Sequence, residues 1–236
     1  MKIISALLLT ISIGSVASEC DMSSNSISAY YQLTTQTAHA KESQPQLFEL
    51  HRDNHSVLQR NISQGIHDVW TKTGHRMSLS RAFDQYQHAI EYQSNELRYQ
   101  PKWRDITQLV TTPELKEMTL AAEKNASCQL EQHYVMAINN VEYQLVWLPN
   151  LRLVKYFQRK NAQASQTWTM TKYQSKPDVI ASHFAQYADY QSTDYADIGD
   201  NESIPFLAAM INQGFSVQAT RSSVDSHSRQ HEHQHE

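Results

Sequence analysis

Twelve histidines, two cysteines and one run of carboxylates are the residues of this 236-residue chain best suited to do chemistry. Four of the histidines, His227, His231, His233 and His235, alternate with polar residues near the C-terminal end. Imidazoles on a pliable segment can gather around a divalent transition metal such as Zn²⁺, Cu²⁺ or Ni²⁺. Ligation needs the neutral ring, so binding there is expected to weaken below about pH 6. The same composition also suits a solubilising tail, and residues 216–236 are expected to lack a packed structure.

Inside the chain, His51 with His55 and His67 beside Asp68 have the residue types of a metal or acid–base pair. His51 and His55 flank an expected turn, where strand histidines usually form polar surface. Asp194, Asp197, Asp200 and Glu202 offer oxygen ligands, but their spacing is not that of a Ca²⁺-binding helix–loop–helix. They are better placed to punctuate the chain and favour the N-terminus of a following helix. There is no GxSxG elbow, no HExxH and no CxxC, so no catalytic residue is assigned and an enzyme is not expected.

The cysteines take their meaning from the first 17 residues. Lys2, an apolar run from Ile3 to Ile13 and then Gly14, Ser15, Val16 and Ala17 have the pattern of a secretory signal peptide with small residues at the cleavage positions. Glu19 before Cys20 argues against lipidation of that cysteine, and the apolar run falls short of the roughly 20 residues that span a bilayer. The expected product is a periplasmic or secreted soluble protein with no integral membrane segment after cleavage. In an oxidising compartment Cys20 and Cys128 are expected to pair, the alternative being two structural thiols. The bridge would close a loop of about 107 residues, for about 4–5 kcal/mol in the chain-entropy model.

Composition removes several classes of partner. The five glycines, at 14, 65, 74, 199 and 214, stand too far apart for a phosphate-binding loop or a dinucleotide turn. A net charge of −4, with 20 basic and 24 acidic residues and no basic cluster, lacks the footprint of a nucleic-acid binder.

The elements that must position these residues follow from periodicity. Residues 18–44 suit one weak amphipathic helix. Alternation then predicts strands near 47–52, 56–62, 66–72, 76–83 and 86–92, with turns at Asp53-Asn54 and Thr73-Gly74. Residues 95–124 read as helical, with a start signal at Thr112-Pro113-Glu114. Strands return near 129–138, 141–148, 151–158 and 166–174, the first two joined by Asn139-Asn140, and residues 205–213 form a terminal helix. The expected fold class is α+β: a curved antiparallel sheet of about nine strands covered by helices, as a single domain over residues 18–215.

The order of these elements, with the stretch Tyr143-Gln-Leu-Val-Trp-Leu-Pro-Asn-Leu-Arg-Leu-Val-Lys-Tyr-Phe and then Gln166-Thr-Trp-Thr-Met-Thr, resembles the periplasmic lipoprotein carriers LolA and LolB and the large domain of RseB. The resemblance covers roughly residues 27–175 and brings no motif residue with it. It implies a half-barrel whose concave face accepts acyl chains under a helical lid. The His-rich tail and the Cys20–Cys128 pair depart from that family.

In such a half-barrel Met77, Leu79, Phe83, Tyr143, Leu145 and Trp147 line the ligand cavity, with the segment from Trp103 to Leu120 as cover; otherwise this face is a packed core. Two functions follow. One is a non-enzymatic periplasmic carrier of an apolar or lipid-like ligand, with a periplasmic protein as the other candidate partner. The other is a metal-binding accessory protein acting through its histidine tail, its folded domain mainly docking a partner.

Overall fold

The structure is a computed structural model, and it describes residues 22–38, 43–97, 99–126, 128–201 and 203–212. Twelve strands form one sheet: β1 (Ser26–Thr37), β2 (Gln46–Asp53), β3 (Ser56–Asn61), β4 (Ile66–Thr73), β5 (Arg76–Phe83), β6 (His88–Tyr92), β7 (Thr119–Ala126), β8 (Gln129–Ile138), β9 (Val141–Leu148), β10 (Leu153–Lys160), β11 (Ala164–Gln174) and β12 (Gln191–Asp194). Among the described residues three short α-helices accompany them: α1 (Trp103–Ile106), α2 (Pro177–Ala185) and α3 (Pro205–Asn212). The spatial order is β12-β6-β5-β4-β3-β2-β1-β11-β10-β9-β8-β7, and the sheet is open and curved. Every pairing is antiparallel except β12 on β6.

Turn chemistry explains the two runs of hairpins. Asn139 and Asn140 both take positive φ, 50° and 60°, as a two-residue turn matched to strand twist requires. Gly74, at φ 61°, serves the β4–β5 turn in a conformation that side chains resist. The two runs meet where β1 pairs with β11, from Ser28 opposite Gln174 to Thr37 opposite Ala164.

The pleat then sorts the side chains onto two faces. The pairings Trp70–Leu79, Ile66–Phe83, Leu33–Trp168, Phe157–Trp168 and Leu145–Phe157 carry one apolar face across both halves of the sheet. Residues 97–118 lie over it and bury Leu97, Ile106, Val110 and Met118 in the same core. Beyond them Phe206 packs on Phe83, ring centres 5.1 Å apart. The opposite face carries Glu49, His51 and Arg60 together with the apolar Leu58 and Val69 under β2–β4, and is met by α2, which begins with Pro177 in its first turn and buries Ile180.

All nine strands read from the sequence are present, and three more join them. The helix expected within residues 18–44 from the spacing of Ala29, Tyr30, Tyr31, Leu33 and Ala38 is instead β1, in which Ile27, Ala29, Tyr31 and Leu33 alternate into the core. The helical reading of residues 95–124 reduces to the single turn of α1 and a 3-10 turn at Leu115–Glu117, after which β7 begins. Pro101 and Pro113 divide the segment, and its apolar side chains gain their burial against the sheet without needing a helix.

Candidate functional site

The six residues expected to line a cavity share one face, because the registers of β4–β5 and β9–β10 run in phase through the β1–β11 seam. Met77, Leu79, Phe83 and Leu145 are buried in the core, while Tyr143 and Trp147 are partly buried against it. Leu97, Ile106, Val110 and Met118 of the cover belong to the same buried cluster. A depression of about 720 Å³ opens at the Met77 end, and its other lining residues, among them Thr71, Arg76, Ser78 and Gln93, are polar.

The cover is held by polar latches rather than by a helical scaffold. Gln59, on the apolar face, donates its side-chain N–H groups to the carbonyls of Ile106 (2.7 Å) and Gln108 (3.0 Å). Arg52 Nε donates to the carbonyl of Thr107 at 2.8 Å. Deeper on this face Arg81 makes a two-pronged ion pair with Asp68, at 2.6 and 2.8 Å, with both groups almost wholly buried.

The histidine pairs read from the sequence separate in space. His67 and Asp68 are neighbours in a strand, so they point to opposite faces. Asp68 meets Arg81, whereas His67 Nε2 donates to Asp84 Oδ2 at 2.7 Å. Tyr190 donates to the other oxygen of Asp84 at 2.9 Å. His55 is exposed in the β2–β3 turn, but His51 is fully buried, which corrects the expectation that both form polar surface. The reason is α2, which roofs this part of the sheet and which local periodicity does not reveal.

Under α2 the buried His51 belongs to a cluster missed by the sequence reading. Its Nε2 lies 3.1 Å from Glu49 Oε2 and its Nδ1 lies 2.8 Å from Ser28 Oγ. His183, from α2, stacks on it with ring centres 3.9 Å apart and planes 21° from parallel. Burial lowers the pKa of His51 below the ordinary histidine value, against the pull of Glu49. Burial, then the neighbouring His51, pushes His183 down to about 4. Two stacked rings are thereby neutral at pH 7.

Cys128 sits in the turn between β7 and β8, while Cys20 lies outside the described residues. So do the candidate signal peptide and the tail histidines His227, His231, His233 and His235. No helix among the described residues is long and apolar enough to cross a membrane. Asp194 ends β12, and Asp197 and Asp200 lie in a 3-10 helix at Tyr195–Asn201.

No family model matches the sequence, and no curated protein matches it. Among solved structures the chain is similar to PNGF-II, at 8% identity and a TM-score of 0.37, with 71% of this chain and 31% of that one covered. It thus spans about a third of the length of PNGF-II. It is also similar to a chain of the Pseudomonas aeruginosa MucA/MucB complex, at 10% identity and a TM-score of 0.32, covering 66% of this chain and 56% of that one. A LolA superfamily protein from Nitrosomonas europaea is similar at 9% identity and a TM-score of 0.27, with 66% and 90% covered. This last bears the name of the superfamily that the strand pattern resembles.

Proposed function

We propose that the protein is a non-enzymatic, exported binding module, periplasmic by its leader, that holds an apolar or lipid-like ligand against the apolar face of its open sheet. One observation carries the reading. A continuous apolar face crosses both halves of the sheet, and much of what covers it is a segment with a single helical turn, latched by Gln59 and Arg52. A tightly packed helix would be a permanent layer of the core. A loosely structured cover of this kind can be exchanged for a ligand of the same apolar character.

The magnitudes allow exchange. Four buried side chains of the size of Leu97, Ile106, Val110 and Met118 contribute about 6–12 kcal/mol, and an acyl chain of about ten methylenes contributes about 8 kcal/mol. The two occupants are near balance, so the ligand can displace the cover without unfolding the sheet.

The test is binding of an apolar fluorescent probe, together with native mass spectrometry of the purified protein for acyl-chain masses. Val110→Ser in the cover is expected to strengthen probe binding by about tenfold, since roughly 1.4 kcal/mol of competing burial is removed. Leu145→Glu and Leu79→Glu are expected to abolish it, with the fold retained by circular dichroism. A wild type that binds no probe and carries no lipid, with glutamate variants that fail to fold, leaves only a structural domain and ends the carrier reading.

A further inference from the structure

The opposite face, under α2, offers a second site, independent of the apolar ligand. Glu49 and His51 come from β2, two residues apart and therefore on one side of the strand, and His183 descends on them from α2. One ligand atom from each lies within 4.8 Å of the others. The two histidines are arranged alike around this point. The outer nitrogen of His51, Nδ1, meets the Ser28 hydroxyl at 2.8 Å, and the outer nitrogen of His183, Nε2, meets the Tyr30 hydroxyl at 3.2 Å. Each outer N–H thus has an oxygen to donate to when the inner nitrogen gives up its lone pair, the arrangement that fixes metal-bound imidazoles.

The inner atoms converge on a cation. Arg60 Nη1 lies 2.7 Å from Glu49 Oε2 and 3.4 Å from His183 Nδ1, and His51 Nε2 lies 3.1 Å from the same Glu49 oxygen. The guanidinium nitrogen stands among the atoms that would hold an ion. Its own anchorage is incomplete, because the buried Nε of Arg60 has no hydrogen-bond partner. The guanidinium already lies over the Tyr187 ring, with Cζ 5.8 Å from the ring centre, a contact that can keep hold of it when the Glu49 contact is given up.

We propose that Glu49, His51 and His183 form a site for a divalent transition metal, enclosed between this face of the sheet and α2, and that the ion binds by displacing Arg60 from Glu49. Two nitrogens and one carboxylate oxygen suit Zn²⁺ and its neighbours rather than Ca²⁺ or Mg²⁺, which take oxygen-rich shells. A tetrahedral zinc site places its ligand atoms about 3.3 Å apart, so the cluster must tighten from its present span. The movement falls to His183, the half-buried member on the short helix, while His51 is held by Ser28 inside the sheet.

The test uses the full chain with His227, His231, His233 and His235 all changed to Ala, so that the tail cannot contribute. Zn²⁺ affinity is measured by competition with a chromophoric chelator, and Co²⁺ is added in parallel for its visible absorption. The parent is expected to take up a single tightly held ion with the intense Co²⁺ bands of a four-coordinate site. His183→Gln and Glu49→Gln, whose positions are accessible enough to keep the fold, are each expected to weaken binding at least about tenfold. Arg60→Gln is expected to bind Zn²⁺ more tightly than the parent, an effect that a merely structural role for the cluster does not produce. A parent that takes up no ion, a His183→Gln variant that binds as well as the parent, or an Arg60→Gln variant with no gain in affinity overturns the proposal.

Discussion

Arg52 Nη1 donates to the carbonyl of Leu151 at 3.0 Å, joining β2 to the β9–β10 turn across 99 residues of sequence. The same guanidinium donates to the carbonyls of Ser24 (3.0 Å), Thr107 (2.8 Å) and Arg152 (2.7 Å). It thereby ties together the chain before β1, the cover and both halves of the sheet. Among the described residues no carboxylate pairs with it, and burial pulls its pKa down to about 10.

Arg52→Met is therefore expected to destabilise the protein by about 3–5 kcal/mol, because several carbonyls lose their only charged donor while the side-chain volume is kept. Urea unfolding measures this. A loss below about 1 kcal/mol would mean that water replaces the guanidinium at little cost.

The buried pair of Arg81 and Asp68 behaves differently when cut singly or together. Asp68→Asn removes the negative charge that faces the buried guanidinium and is expected to cost about 3–5 kcal/mol. Asp68→Leu with Arg81→Met removes both charges, and the double variant is expected to lie within about 2 kcal/mol of wild type. Denaturation midpoints of the two variants decide it, and equal losses would show that the pair's hydrogen-bond geometry matters more than its charge balance.

Acidification is expected to lower stability through buried histidines. His67 and His88 have pKa values lowered by burial, only partly opposed at His67 by Asp84. In the unfolded chain these rings protonate near pH 6.5. Below that pH the unfolded state binds more protons, so stability is complete above about 6.5 and declines as the pH falls. Tm measured in EDTA should drop between pH 7.5 and 5.5, and less steeply for His67→Gln. A variant with the wild-type slope would remove His67 from this account.

Cys128→Ser is expected to lower stability by about 4 kcal/mol if the Cys20–Cys128 bridge forms. Thiol titration of the denatured, unreduced protein is the check, and two reactive thiols would rule the bridge out.

What the sequence disclosed was what alternation can encode. β5 was legible because Met77, Leu79, Arg81 and Phe83 repeat every second residue, and the β8–β9 hairpin because Asn139-Asn140 suits only a few turn types. β7 was not, since all eight of its residues are exposed at the sheet edge and neither face imposes a pattern. The six apolar candidates were found on one face for the same reason that β5 was found. The Glu49, His51 and His183 cluster was hidden: 132 residues separate its two histidines, and only the descent of α2 unites them.

The pairing of β1 with β11 carries a kinetic consequence. The strand nearest the beginning of the described chain waits for one of the last to be made, as Ser28 and Gln174 are partners. Loop closure over such a separation is slow, so β2–β6 and β8–β10 can each zip up locally while β1 still presents one unpaired edge with Tyr31 and Leu33 beside it. During that interval the half-made sheet is a template for a second copy, and refolding yield should fall steeply with protein concentration although the finished sheet has this edge sealed.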